Sequence, residues 1–139
     1  MDHLRTPHRF LRHLLTIPFL FSAVIPIVIL DLWIEVYHRI SFPFYRLPYV
    51  KRGHYIKIDR HRLSYLNPMQ KLNCLYCGYA NGVLQFWVKI VGDTEKYWCA
   101  IKHKPDEKYN APEHHNEFIG YNDEDEFITV YESKKTRPF

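Results

Sequence analysis

Four residues with the types and spacing of metal ligands lie between positions 74 and 103. Two residues separate Cys74 from Cys77, and three separate Cys99 from His103. Together they include every cysteine of the 139-residue chain. Zinc prefers four thiolate or imidazole ligands in a tetrahedron, and three cysteines with one histidine are an accepted set. The sequence therefore predicts a structural Cys3His zinc site, with iron as the alternative metal.

A helical hairpin would bring the two pairs of ligands together. Asn81 can begin a helix and Gly92 can end it. Between them apolar residues recur with helical spacing, at Val83, Phe86, Trp87, Ile90 and Val91. A second helix, ended by Pro105, would then run back and carry residues 99–103 towards the first two cysteines. We expect residues 74–105 to form this hairpin domain.

Two other interpretations of the cysteines stay open. Free thiols are also ordinary as small buried apolar groups. Alternatively, Cys74 and Cys77 could form a redox-active disulfide. Such a dithiol, or an iron centre, would pass electrons to a membrane oxidase or monooxygenase.

The turn from Cys74 to Tyr79, CLYCGY, resembles the metal-binding knuckle of rubredoxins and zinc ribbons. Rubredoxins carry a second Cys-x2-Cys pair where this chain has Cys99 and His103. This difference from the rubredoxin pattern favours zinc over iron. On a larger scale, the run YCGYANG…TEKYWCAIKH is similar to a family of small bacterial membrane-associated proteins, over most of residues 14–103. That resemblance implies membrane attachment and brings no activity with it.

An apolar segment near the start of the chain supports membrane attachment. Residues 14–30 contain no charged residue, and residues 1–13 form a basic lead-in that would lie at the interface. A helix of residues 14–30 covers about 25 Å, whereas one extended to residue 38 is long enough to cross the bilayer core of about 30 Å. Pro18 and Pro26 predict that this membrane segment, residues 14–38, is kinked or re-entrant.

Basic residues flank the membrane segment on both sides, so charge does not determine its orientation. Thiolates that bind a metal suit a reducing compartment. We therefore expect the bacterial inner membrane, with the metal domain on the cytoplasmic side.

A candidate second site lies at the end of the membrane segment, at Asp31, Glu35 and His38. Their spacing places them on one helical face, and Glu-x2-His is the spacing found in carboxylate-bridged di-iron proteins. Those sites need further copies of the motif, and this chain offers one. The alternative is that the two carboxylates lie among headgroups and pair with Arg39 or later basic residues.

Residues 39–73 read as an interfacial connector rich in aromatic and basic residues. Two prolines favour an extended chain over residues 40–50. Its basic side chains would contact anionic lipid headgroups or a phosphate-bearing ligand, or form an ordinary solvated face. The candidates are Lys51, Arg52, Lys57, Arg60 and Arg62. No nucleic-acid recognition motif accompanies them.

The charge changes sign after the proposed domain. Residues 1–103 carry 14 Lys and Arg against 6 Asp and Glu, whereas residues 104–139 carry 5 against 9. In this acidic tail, residues 106–139, a loop with His114 and His115 could add a metal ligand. A small β-hairpin is expected over residues 118–132, with its turn near Asn122 and Asp123.

These features predict a mainly α protein made of a membrane helix and a small metal-closed domain. No nucleophile–base arrangement or glycine-rich phosphate loop is present, so the sequence favours a non-catalytic role over an enzyme. We expect a membrane-associated, zinc-binding accessory subunit of a larger membrane complex.

Overall fold

The computed structural model describes residues 7–132, and over these residues the protein is mainly α, as predicted. Its helices are α1 (Arg9–Ser22), α2 (Val24–Tyr45), α3 (Pro68–Trp98) and α4 (Glu124–Glu132). Short 3₁₀ turns cover Arg52–His54, Arg60–Arg62 and Glu113–Glu117. The described residues contain no strand, only an isolated bridge between Ile101 and Ile119. The chain divides into two compact units between Val88 and Lys89.

Helices α1 and α2 meet at Ala23, three residues before Pro26. A proline ring clashes with the carbonyl group four residues earlier, here that of Ser22, which accounts for the interruption. Ala23 itself keeps right-handed helical angles, with φ −64° and ψ −17°, so the chain continues without reversing. The structure therefore interrupts the predicted membrane segment at one residue without reversing the chain. Leu11–Tyr45 is long and apolar enough to cross a membrane.

Helix α2 extends further than the prolines of residues 40–50 predict. Pro43 lies in its last turns, and the helix ends at Tyr45. Arg46 then adopts a left-handed conformation with φ 56°, and the N–H of Leu47 donates to the carbonyl of Phe42 over 3.0 Å. This arrangement is a Schellman-type helix end, which satisfies carbonyl groups that the last turn leaves without helical partners.

Helix α3 is a single helix of 31 residues, and the predicted break at Gly92 is wrong. Its start was readable from the sequence, because Pro68 occupies the first position and Asn67 and Gln70 form a capping box. The Gln70 N–H donates to Asn67 Oδ1 over 2.8 Å, and the Asn67 N–H donates to Gln70 Oε1 over 3.0 Å. Such a reciprocal pair satisfies two donors at a helix start.

The cysteine segment is therefore helical where a knuckle and a hairpin were expected. Cys74 and Cys77 lie within α3, and Cys99 directly follows the last residue of α3. Asn81 does not begin a helix either, since it lies inside α3 and its side-chain amide donates to the Cys77 carbonyl over 2.9 Å.

Two glycines of α3 provide close packing. A Cβ at Gly82 would lie 2.7 Å from the Cα of Ile56 and 2.9 Å from the carbonyl of Tyr55. A Cβ at Gly92 would lie 3.1 Å from two atoms of the His114 ring. Both glycines thus allow close contact, Gly82 with Ile56 and Gly92 with His114. A larger residue would displace these neighbours, which explains why glycine occurs inside this helix.

The predicted C-terminal hairpin is also wrong, because residues 124–132 form helix α4. Asp123 caps this helix by accepting the Glu126 N–H over 2.9 Å. Acidic residues fill the first turn, where they interact favourably with the positive end of the helix dipole. The turn near Asn122 therefore leads into a helix, and Asn122 takes the left-handed conformation with φ 60°.

Each unit has its own small core. In the first unit, α2 buries the face formed by Asp31, Ile34, His38 and Phe42, and α3 buries Val83 and Phe86. In the second unit, the buried side chains of the described residues are Ile90, His115, Phe118 and Ile119.

Candidate metal centre

Three metal-ligating side chains converge in the second unit. The donor atoms of Glu95, His114 and His115 all lie within 4.8 Å of one another, and no other such group occurs among residues 7–132. Oε2 of Glu95 lies 2.9 Å from Nε2 of His114 and 3.2 Å from Nε2 of His115. A single carboxylate oxygen therefore faces two imidazole nitrogens.

Glu95 comes from the end of α3, and the two histidines come from the 3₁₀ turn Glu113–Glu117. Gly92 lies one helical turn before Glu95, and its missing side chain leaves space for the His114 ring. His115 is stacked on Phe118, with ring centroids 4.8 Å apart, and its side chain is only 5% exposed. Packing therefore holds both rings beside the carboxylate.

Backbone hydrogen bonds hold the histidine turn against the segment that follows α3. The Ile119 N–H donates to the Ala100 carbonyl over 2.9 Å, and the Lys102 N–H donates to the Ile119 carbonyl over 2.8 Å. An ion pair between Lys96 and Glu117 adds a link at the surface. The site is thus built by local chain contacts within one unit.

The two histidines lower the pKa of Glu95. Burial raises the pKa of Glu95, but the hydrogen bonds to His114 and His115 outweigh burial and hold its pKa below the ordinary value. The carboxylate is therefore ionised at neutral pH, which is the form that binds a cation.

An open groove of about 570 Å³ adjoins the site, lined in part by His103, Tyr109 and His115. The ring centroids of His103 and His115 are 5.7 Å apart. His103 therefore lies beside the group formed by Glu95, His114 and His115. Its donor atoms do not belong to that group, whose members lie within 4.8 Å of one another.

The structure does not show the Cys3His site. Cys74 and Cys77 are half-buried in the first unit, whereas Cys99 is exposed and, like His103, belongs to the second unit. Within the described part of the chain, none of the four joins a group of three converging ligands. Zinc binding by this set stays a prediction.

At the candidate second site, Asp31 is part of a salt bridge. Both of its carboxylate oxygens accept hydrogen bonds from the Arg52 guanidinium, and Oδ2 also accepts the hydroxyl of Tyr79 over 2.8 Å. The hydrogen bond to Asp31 raises the pKa of Arg52. Burial and the same carboxylate raise the pKa of Tyr79.

Glu35 and His38 have separate partners. Glu35 accepts hydrogen bonds from Arg39 over 2.7 Å and from the Tyr49 hydroxyl over 3.1 Å. His38 is fully buried, and its Nε2 accepts the backbone N–H of Val50 over 3.2 Å. The structure therefore places Asp31, Glu35 and His38 on one face of α2 but gives each its own interactions.

The five basic residues of the connector that are candidates for lipid or phosphate contact fall into two kinds. Arg52 is neutralised by Asp31, and Lys57 lies 3.5 Å from Asp59. The other three, Lys51, Arg60 and Arg62, are exposed and make no ion pair with an acidic residue of the described chain.

The sequence pattern predicted the two adjacent histidines as a source of an extra ligand but did not indicate Glu95. The available signal was the pair Gly92 and Glu95, which share a helix face only when α3 continues through the glycine. No protein family, curated protein or solved structure matches the chain. The chemistry of these side chains is therefore the basis for a functional assignment.

Proposed function

We propose that this is a membrane-attached metal-binding protein whose ion is held by Glu95, His114 and His115. The observation that carries the proposal is the single Glu95 oxygen within 3.2 Å of both imidazole nitrogens. A divalent cation would replace the hydrogen bonds between these atoms. Imidazole nitrogen and carboxylate oxygen are both established zinc ligands, so zinc is the proposed ion.

A structural role fits the small size of the second unit. Its buried apolar residues in the described chain are only Ile90, Phe118 and Ile119. Domains with so small a core often depend on a bound metal. The ion would join the end of α3 to the histidine turn, and His103 or a water molecule would supply the fourth ligand.

Membrane attachment is supported by the exposure of the apolar helix. Large apolar side chains along it are open to the surroundings, including Phe19 at 78%, Ile25 at 66% and Trp33 at 71%. We propose that these side chains contact lipid in the bacterial inner membrane, with the metal unit on the cytoplasmic side. The protein would then serve as an accessory subunit of a larger membrane complex.

Elemental analysis of the full chain in detergent tests the metal assignment. We expect about one zinc ion per chain, as a structural site requires. The double variant H114A/H115A should lose the ion, and the matched variant C74S/C77S should retain it. A circular dichroism spectrum of each variant confirms that the helices are present.

The reverse pattern would overturn this ligand set. Zinc lost from C74S/C77S and retained by H114A/H115A would assign the ion to Cys74, Cys77, Cys99 and His103. A coloured protein with bound iron would instead support the electron-transfer alternative.

A further inference from the structure

The connector of the first unit shares no residue with the candidate metal centre. After α2 the chain runs back along that helix. The Val50 N–H bonds to His38, and the Arg52 side chain then bonds to Asp31, nearer the start of α2. The connector therefore lies beside the part of α2 that carries Asp31 and His38, just after the charge-free residues 14–30.

The contacts of helix α3 also show the direction in which the connector runs. Tyr79 bonds to Asp31 and Phe86 contacts His38, so α3 and α2 run parallel. The connector crosses α3 at Gly82, beside Ile56, and then at Gly78, where a Cβ would lie 3.1 Å from the Lys57 carbonyl. It thus moves towards the start of α3, and this end lies beside α1, because Tyr76 contacts Phe21 with ring centroids 5.6 Å apart.

The next residues are the 3₁₀ turn Arg60–Arg62. The turn closely follows the part of the connector that packs against α3 at Gly82 and Gly78. Arg60 and Arg62 are both exposed and make no ion pair within the described chain. Between residues 46 and 73 the chain has seven basic residues and only one acidic residue, Asp59.

We propose that Arg60 and Arg62 bind the phosphate groups of anionic lipids in the leaflet that receives the membrane segment. Guanidinium groups match phosphate oxygens with two parallel hydrogen bonds, and anionic leaflets attract basic residues next to a membrane segment. The exposed apolar side chains of α2 in the same unit, such as Ile25 and Ile29, favour a lipid surface over free phosphate or nucleic acid. Arg52 is not part of this surface, because Asp31 neutralises it.

Hydrogen–deuterium exchange of the full chain in nanodiscs tests this proposal. Peptides that cover residues 55–66 should exchange more slowly in discs of phosphatidylcholine with phosphatidylglycerol than in discs of phosphatidylcholine alone. We expect a difference of about fivefold or more, since each basic residue near an anionic surface gains roughly that factor in binding. High salt should reduce the difference, because it screens exposed charges.

The variant R60Q/R62Q should abolish the lipid effect, whereas K102Q/K104Q, which alters two exposed lysines of the second unit, should keep it. Equal exchange in the two kinds of disc would overturn the proposal. So would protection of the wild-type chain by inorganic phosphate in neutral discs, or by a short oligonucleotide, without any effect of anionic lipid. The zinc content of each sample is measured in parallel, so that a failure here is separate from a failure of the metal assignment.

Discussion

At the scale of single residues, the candidate metal centre depends on a glycine, because Gly92 has no side chain to occupy the space beside His114. Gly92 gives the His114 ring the space in which it can face Glu95. The neighbouring His115 is held by burial and by Phe118. One ligand is therefore positioned by an absent Cβ and the other by an apolar neighbour.

Replacing Gly92 by alanine should weaken zinc binding. The new Cβ would lie 3.1 Å from the His114 ring, so the ring must shift away from Glu95. We expect the zinc affinity to fall roughly 10- to 100-fold, as for other changes that misorient a ligand. A competition titration with a coloured chelator measures this. The control is G53A, because nothing lies within 4 Å of a Cβ at Gly53.

The depressed pKa of Glu95 predicts a dependence of stability on pH in the metal-free protein. A carboxyl group whose pKa is lower in the folded state stabilises the fold above its unfolded pKa, and this stabilisation is lost as the pH falls through the folded value. Thermal unfolding of the chelated protein, followed from pH 7 downwards, should therefore show a smaller loss of stability for E95Q than for wild type. Equal losses would show that the two imidazoles do not lower the pKa of Glu95.

At the scale of elements, α2 is held to the connector by interactions of unequal strength. In the pair of Arg52 with Asp31, the carboxylate is largely removed from water, because the Asp31 side chain is only 7% exposed. The pair of Arg39 with Glu35 is a surface pair within one helix, and the Arg39 side chain is 69% exposed. The first pair joins distant parts of the chain, whereas the second joins adjacent helical turns.

The variant R52Q should therefore destabilise the protein far more than R39Q. Removing Arg52 leaves the Asp31 carboxylate buried without its countercharge, which typically costs about 3 kcal/mol or more. Removing Arg39 should cost about 0.5 kcal/mol, as for exposed pairs one helical turn apart. Denaturation in detergent measures both values. Similar losses for the two variants would contradict the interpretation of Asp31 as a buried member of a salt bridge.

At the scale of the whole molecule, the chain combines a unit that contains the membrane segment with a unit that contains the candidate metal centre. In the proposed function, the first unit attaches the protein to lipid and the second depends on the ion. The two dependencies involve different residues and can be measured separately.

Metal removal should therefore loosen only one unit. After chelation we expect faster hydrogen exchange in peptides that cover residues 95–119, because the ligands come from both ends of this range. Peptides within residues 31–58 should exchange as before. Faster exchange in peptides around Cys74 and Cys77 would instead point to the Cys3His set.

Local patterns in the sequence were sufficient to predict several parts of this protein. Residues 14–30 have no charge, so a long apolar helix follows from composition, and Pro26 predicts its interruption near Ala23. The pairing of Glu35 with Arg39 was offered as an alternative and needs only helical spacing. Signals of the same kind at Asn67 with Gln70, and at Asp123 with Glu126, mark helix starts that sequence analysis did not use.

Tertiary contacts decided the rest. Glycine inside a helix costs about 1 kcal/mol relative to alanine, so Gly92 read locally as a helix end. The structure places the His114 ring against it, from a residue 22 positions later, and no local period encodes that contact. Glu95 meets His114 and His115 for the same reason. Sequence alone thus determined where the long apolar helix lies, whereas the fold decided which ligands meet, because ligand geometry depends on packing between residues far apart in the chain.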